Sequence, residues 1–239
     1  MHIVNASQKT LAGAIDAIAA TPREAILRHI AQSRKSHPEA TPAELCAVLD
    51  RRYLATVTSS GATAGGVAAT PGVGTGAALA LAGGDAVGFV AASGLLALAY
   101  AEIYGVPIED LERRRTLILA VLLGDSGAAT ITKVAERTGG HWGRKVAQGV
   151  PIETIRQINR ILGRNFVTKF GSKQGILVLG KALPFGFGAV IGGTGNFTLG
   201  YLTTRAAHRA FGDPPPAWTN FATTGPNMPS ADDLAAAAA

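Results

Sequence analysis

Between Thr63 and Val106 the chain carries only two charged side chains, Asp85 and Glu102. Small residues recur at every fourth position along this stretch, and they are Gly72, Gly76, Ala80, Gly84, Gly88 and Ala92. A spacing of four places them on one face of a helix, where a second helix can approach closely. Because glycine weakens an isolated helix in water by about 0.5–1 kcal/mol per residue, such a face needs tight packing or lipid around it.

A second stretch of low charge runs from Gln174 to Thr204, with Lys181 as its one charged residue. Its small or polar residues again step by four, through Gly188, Gly192, Asn196 and Gly200. No segment of useful length alternates apolar and polar residues as a half-buried strand does. The sequence therefore predicts an all-α helical bundle with two Gly-rich, small-residue-packed helical hairpins. The bend of the first hairpin is expected near Gly83, Gly84 and Asp85.

Two helix starts are marked by Thr, then Pro, then Glu, a pattern typical of a capping box. They are Thr21-Pro22 with Glu24, and Thr41-Pro42 with Glu44. We expect capped N-terminal helices over residues 1–60, a helical core over 61–211, and a disordered Pro/Ala-rich tail over 212–239.

The net charge is +6, and only 6% of the residues are aromatic. Nucleic-acid-binding proteins usually interleave aromatic with basic side chains, so the basic character favours anionic lipid over nucleic acid. Two basic groups are candidates for a membrane surface, Arg113-Arg114-Arg115 and a stripe on an amphipathic helix formed by Arg156, Arg160 and Arg164. The alternative for the stripe is the solvated face of a bundle helix.

The N-terminus lacks a basic segment before an apolar run, so no signal peptide is expected. The protein is predicted to lie at the cytoplasmic side of the cell membrane, peripheral or partly inserted. Anionic lipid is the expected partner, with a membrane transporter as a further possibility, and the Gly-rich faces offer a route to oligomers. With Cys46 as the single cysteine, an intramolecular disulfide and a cysteine zinc cluster are excluded.

Four residues, Gly124-Asp125-Ser126-Gly127, match the sequence around the nucleophilic serine of trypsin-like proteases. That chemistry needs a β-barrel to hold a histidine and an aspartate around the serine, whereas "TLILAVLLG" before it predicts a buried helix. The five histidines form no H-E-x-x-H motif, and "GVGTGAA" does not follow a strand. We therefore assign no catalytic residue, metal or cofactor. A soluble hydrolase using Asp125, Ser126 and His141, and a soluble carrier of an apolar ligand, are the alternatives.

Charged or polar residues inside the apolar stretches are candidates for a buried polar site. A buried charge costs several kcal/mol unless it is paired, so Asp85 or Asp125 is expected to pair with Lys181. Structural pairing and a polar ligand or proton site are both compatible with such residues. The candidates are Asp85, Glu102, Asp125, Lys181 and Asn196.

Three blocks resemble the EcsC family of bacterial proteins. They are "GGDAVGFVAASGLLALAYAEIYGV", "LERRRTLILAVLLGDSGA" and "ALPFGFGAVIGGTGNFTLGYLTTRAAHRAF", and with their lead-in they cover roughly residues 60–211. The resemblance implies a membrane-associated protein encoded beside a transporter. The family has no established catalytic residues, so none is assigned to this chain on its basis. We therefore expect a non-catalytic helical protein that is accessory to a membrane transport or lipid-related process.

Overall fold

The computed structural model describes residues 2–68, 75–135, 141–181 and 187–218, with side chains and their surroundings in 9–64, 84–135, 141–168 and 193–218. Within these ranges the chain forms nine α-helices and no strand, which confirms the all-α prediction. The helices are α1 (His2–Ala19), α2 (Arg23–Lys35), α3 (Pro42–Ala68), α4 (Thr75–Ile103), α5 (Leu111–Leu123), α6 (Asp125–Val134), α7 (Trp142–Gln148), α8 (Ile152–Lys181) and α9 (Phe187–Phe211).

Helices α4 and α5 form the centre of the bundle. Every residue of α4 from Leu96 to Ile103 is buried, and so is every residue of α5 from Thr116 to Val121. A helix that is apolar on all sides must be enclosed by other helices. The two pack against each other, and α1, α8 and α9 contact both of them, while α3 and α9 share the most extensive helix–helix interface. The prediction that "TLILAVLLG" forms a buried helix is confirmed.

Helix α4 runs without interruption from Thr75 to Ile103, so the bend expected near Gly83, Gly84 and Asp85 is wrong. A glycine costs a helix interior only about 1 kcal/mol, and burial of the turns after Gly84 outweighs that cost, so the pair of glycines does not end this helix. At Gly84 and Gly88 no described atom lies within 4 Å of where a Cβ would stand. The expected close helix approach is therefore not made there by the described residues.

Of the other glycines predicted to pack helices together, Gly200 has described surroundings and four do not. Gly200 lies where α9 approaches α3 closely, because a Cβ there would stand 2.9 Å from Val57 Cγ2 and 3.1 Å from Leu54 Cδ2. Four predicted packing positions have no described surroundings, and they are Gly72, Gly76, Gly188 and Gly192.

One of the two predicted capping boxes forms. The Thr41 amide donates to Glu44 Oε2 at 2.8 Å, and the Glu44 amide donates back to Thr41 Oγ1 at 3.3 Å. The other prediction is wrong, because α2 begins at Arg23 with Pro22 as its N-cap and no side-chain capping bond. Thr21 lies outside that helix, where its carbonyl accepts a hydrogen bond from the Arg114 guanidinium at 2.6 Å.

The described end of the chain returns to the bundle. Residues 212–218 belong to the segment expected to be disordered, yet the Trp218 indole donates to the Ala40 carbonyl at 2.9 Å and stacks under the Arg34 guanidinium. Residues 212–218 thus lie against the bundle, and 219–239 lie outside the described residues, so the disordered tail remains a prediction. The boundary expected at residue 60 falls inside α3.

The Gly-Asp-Ser-Gly tetrapeptide is the junction between α5 and α6. Gly124 adopts φ +62°, which L side chains rarely adopt, and it separates the two helices. A Cβ on Gly127 would overlap backbone atoms of Ala120 on the preceding helix. Both glycines therefore serve the sharp turn between two packed helices.

Substituting Gly127→Ala is expected to lower the free energy of unfolding by about 1–3 kcal/mol, because the backbone of Ala120 has no room to move away from the new methyl group. Gly163→Ala on α8 is the matched control, since no described atom lies within 4 Å of its Cβ position. That change should raise stability by up to about 1 kcal/mol through helix propensity. Urea unfolding of both variants measures the difference, and equal effects would contradict this packing.

Candidate functional site

A cleft of about 720 Å³ opens where α6, α7 and the C-terminal end of α9 meet. Five titratable side chains line it, against four in the second cleft beside α3, and it includes two of the three residues proposed for a hydrolase, Asp125 and His141. The lining residues are Gly124, Asp125, Ala128, Thr132, His141, Trp142, Ala206, His208, Arg209, Gly212, Asp213 and Pro214.

His208 is fixed in the wall of this cleft by residues of two other helices. Its Nε2 atom lies 2.7 Å from Asp50 Oδ2 on α3 and 2.9 Å from the Tyr100 hydroxyl on α4. The Tyr100 hydroxyl donates to the other carboxylate oxygen, Asp50 Oδ1, at 2.9 Å. The Tyr100 ring also meets the imidazole edge-on, with centroids 5.1 Å apart. Three helices thus set the orientation of one imidazole.

The network has one consistent assignment of protons while Asp50 is a carboxylate. The single Tyr100 proton is used on Asp50, so Nε2 of His208 must be the donor in its own contacts. A neutral histidine that donates from Nε2 carries its lone pair on Nδ1. The structure therefore predicts that the neutral form of His208 presents Nδ1 as an acceptor.

The residues behind His208 are protonated and buried. Burial, together with the nearby Asp50 charge, raises the pKa of the Tyr100 hydroxyl far above its ordinary value. Burial and the same charge raise the pKa of the Cys46 thiol to about 12, so this cysteine is an inert thiol rather than a nucleophile. Tyr104 stacks on Tyr100, and its hydroxyl donates to the Gly212 carbonyl at 2.9 Å.

His141 enters the cleft from an uncommon backbone conformation. It has φ 67°, the only positive φ of a non-glycine residue in the described ranges, and it precedes α7. Its imidazole lies directly against the Cα of Gly212, which itself has φ +79°, so that no side chain fits at that position. Gly212 ends α9 with a hydrogen bond from its amide to the His208 carbonyl at 2.8 Å.

The third residue of the proposed hydrolase is not brought to this site. Ser126 does not line the cleft, and its hydroxyl donates to the Leu123 carbonyl at 3.1 Å within the helix junction. Asp125 pairs with Arg209 across the cleft wall. The structure thus joins Asp125 and His141 at one cleft and leaves Ser126 outside it.

Asp85 and Asn196 meet between α3, α4 and α9. The Asn196 amide nitrogen lies 3.1 Å from both carboxylate oxygens of Asp85 and 3.0 Å from the Val57 carbonyl, and Ser60 also donates to Asp85. Both residues are buried. Lys181, the predicted partner of Asp85 or Asp125, has its side chain outside the described residues.

Glu102 is a structural partner. Its carboxylate is 3% exposed and accepts two hydrogen bonds from the Arg23 guanidinium, at 2.9 and 3.0 Å. This bidentate contact with Glu102 raises the pKa of Arg23 above its ordinary value. The pair connects α2 to the central helix α4.

The two predicted basic groups differ in exposure. Arg114 is buried and donates to the carbonyls of Ile108, Ala19 and Thr21, so the prediction that it faces a membrane is wrong. A guanidinium that satisfies three backbone carbonyls ties a turn to the core.

Its neighbours are partly buried and also make contacts within the protein. Arg113 donates to the Val146 carbonyl, and Arg115 pairs with Asp16. The α8 stripe of Arg156, Arg160 and Arg164 is exposed.

Sequence reasoning missed Asp50, Tyr100 and His208. They come from three helices, and 108 positions separate Tyr100 from His208. No local motif connects them, and only the α3–α4–α9 packing brings them together. Over the ranges with described side chains there is no group of three His, Cys, Asp or Glu residues arranged to hold a metal ion.

Comparison with known proteins does not assign the chain to a family. No family model, no curated protein and no solved structure matches it. Among the described helices one segment, Gly84–Ile103, is long and apolar enough to cross a membrane, and 72% of it is buried inside the protein. A core helix of a soluble protein has the same length and composition, so this segment is weak evidence for a membrane span.

Substituting Arg23→Met is expected to lower the free energy of unfolding by about 3 kcal/mol, because it leaves the buried Glu102 carboxylate without a partner. The double variant Arg23→Met/Glu102→Met should recover most of that loss. Arg156→Met is the control, since its exposed pair with Glu153 should contribute at most about 0.5 kcal/mol. A double-mutant cycle in urea gives the coupling, and a coupling near zero would assign Glu102 another role.

Proposed function

We propose that the protein binds reversibly to the surface of an anionic membrane through the outer face of α9. The observation that carries the proposal is a cluster of exposed apolar side chains. In the ranges with described side chains, four large hydrophobic residues are exposed, and three of them lie together on α9. They are Phe197 at 47%, Tyr201 at 48% and Leu202 at 45% exposure, and we call these three residues with Arg205 the α9 patch.

The α9 patch has the composition of a membrane-interface anchor. Phe197, Tyr201 and Arg205 follow one another at steps of four, which places them on one helix face. The rings of Phe197 and Tyr201 stack with centroids 6.5 Å apart, and the Arg205 guanidinium lies 5.9 Å from the Tyr201 ring. Aromatic rings favour the headgroup level of a bilayer, and arginine at that level contacts lipid phosphates.

Insertion of α4 is a less favourable route to the membrane. Its apolar segment already fills the core, and several of its polar groups are satisfied by neighbouring helices. Moving it into lipid would break these contacts and expose the rest of the core. Surface binding through the α9 patch leaves the core intact.

Exposed basic residues on α8 support attraction to anionic lipid. Each lysine or arginine near such a surface contributes about 1 kcal/mol, and the contribution falls with added salt. Among the described residues, α8 carries no large exposed hydrophobic side chain. We therefore assign the stripe an electrostatic contribution to binding and the α9 patch the role of apolar anchor. The further proposal of a role beside a membrane transport system rests on the EcsC resemblance alone.

The test is flotation of the full chain with phosphatidylglycerol/phosphatidylcholine vesicles, and with phosphatidylcholine alone. We expect binding to the anionic vesicles that weakens with salt. Phe197→Ser/Tyr201→Ser should reduce partitioning at least about tenfold, since each buried aromatic contributes about 1.5–3 kcal/mol.

Leu111→Ser is the matched control because Leu111 is 56% exposed elsewhere on the molecule. It should bind as the unsubstituted chain does. Failure of the unsubstituted chain to float, or equal loss in the control, would contradict the proposal.

A further inference from the structure

We propose that the cleft between α6, α7 and α9 hydrolyses small neutral carboxylic esters, with His208 as the general base that activates water. This departs from the expectation of a non-catalytic protein. It does not rest on membrane binding, because the α9 patch and the cleft share no residue.

The hydrogen bonds of His208 identify it as the general base. Its Nε2 atom is committed to Asp50 and Tyr100, and it makes no other hydrogen bond with the described residues. The side chain is 41% exposed and lines the cleft, and its Nδ1 atom has no hydrogen bond to the described residues. A carboxylate on one ring nitrogen fixes the tautomer and stabilises the imidazolium that forms when the other nitrogen takes a proton.

Asp50 and Tyr100 are positioning residues in this arrangement. Asp50 is 17% exposed and accepts hydrogen bonds on both of its oxygens, one from each partner. The Tyr100 hydroxyl cannot ionise at neutral pH, because burial and the Asp50 charge raise its pKa. Tyr100 therefore remains a donor to Asp50, and the imidazole stays the group that exchanges protons with the cleft.

The charges in the cleft select a neutral substrate. Arg209 pairs with Asp125, and Asp213 adds a second carboxylate, while the other titratable side chains of the cleft are His141 and His208. A phosphate ester would bring its own negative charge toward these carboxylates, which is unfavourable. Apolar atoms for an acyl or alcohol group come from Ala128, Trp142, Ala206 and Pro214.

The reaction is balanced by water alone. His208 Nδ1 removes a proton from a water molecule while the water oxygen bonds to the carbonyl carbon of the ester. The bond between that carbon and the alcohol oxygen then breaks, and the imidazolium returns its proton to the leaving alcohol. The products are one carboxylic acid and one alcohol, and the histidine is regenerated.

The first test is turnover of p-nitrophenyl acetate and p-nitrophenyl butyrate by the full chain. His208→Gln should lower kcat/KM at least about 10²-fold, the usual effect of losing a general base. His37→Gln removes a histidine from the other cleft, and Ser126→Ala removes a hydroxyl outside the site, so both should retain full activity.

Absence of turnover above buffer in the unsubstituted chain would overturn the proposal. So would a His208→Gln variant that is as active as the His37→Gln control. Vesicle flotation of the same variants separates this outcome from the membrane proposal, because His208→Gln should float normally whatever its esterase activity.

A second test does not depend on the choice of ester. Nitrogen NMR of the histidine-labelled chain, at a pH where the imidazole is neutral, should show His208 protonated on Nε2. Asp50→Asn and Tyr100→Phe should reduce this tautomer preference, a change that loss of packing elsewhere would not produce. Protonation on Nδ1 in the unsubstituted chain would overturn the role of His208 as base.

Discussion

The structure depends on the burial of α4, a helix that is apolar along most of its length and yet carries several polar side chains. A polar group taken out of water must find a hydrogen-bond partner, and a buried charge must find a paired or hydrogen-bonded one. Each polar side chain of α4 between Gly84 and Ile103 therefore contacts a neighbouring helix. The contacts are Asp85 with Ser60 and Asn196, Ser93 with Tyr53, Tyr100 with Asp50 and His208, and Glu102 with Arg23.

The same requirement produces the candidate site. Tyr100 is buried, so its hydroxyl needs a partner, and Asp50 on α3 supplies one. His208 on α9 completes the contact at the edge of the bundle, where one side of its ring still reaches solvent. A network that stabilises the core thus also orients an imidazole toward a cleft. The proposed chemistry follows from this edge position, since a fully enclosed network would have no substrate access.

Some features could be predicted from the sequence because their causes are local. The all-α class follows from the absence of strand patterns, and the cap at Thr41 follows from four consecutive residues. The resemblance to EcsC proteins, the Gly-rich hairpins and the membrane role remain predictions. The bend near Gly84 was wrong because a glycine costs a helix interior only about 1 kcal/mol, and burial of the turns that follow outweighs that cost.

The candidate site could be predicted only in part. Asp125 and His141 were selected from the sequence, whereas Ser126 is held inside a helix junction and Arg114 is turned into the core. Asp50, Tyr100 and His208 lie far apart in the chain, so their meeting is a property of the tertiary packing. The same packing decides which arginines reach solvent.

The central claim is that α4 remains a core helix while the outer face of α9 meets the membrane. Amide hydrogen exchange with mass spectrometry, with and without anionic vesicles, tests it most directly. The account predicts that amides of Leu96–Ile103 exchange slowest in both conditions, and that vesicles slow exchange around Phe197–Arg205. Rapid exchange in α4 without vesicles, or protection of α4 that appears only with vesicles, would contradict the account.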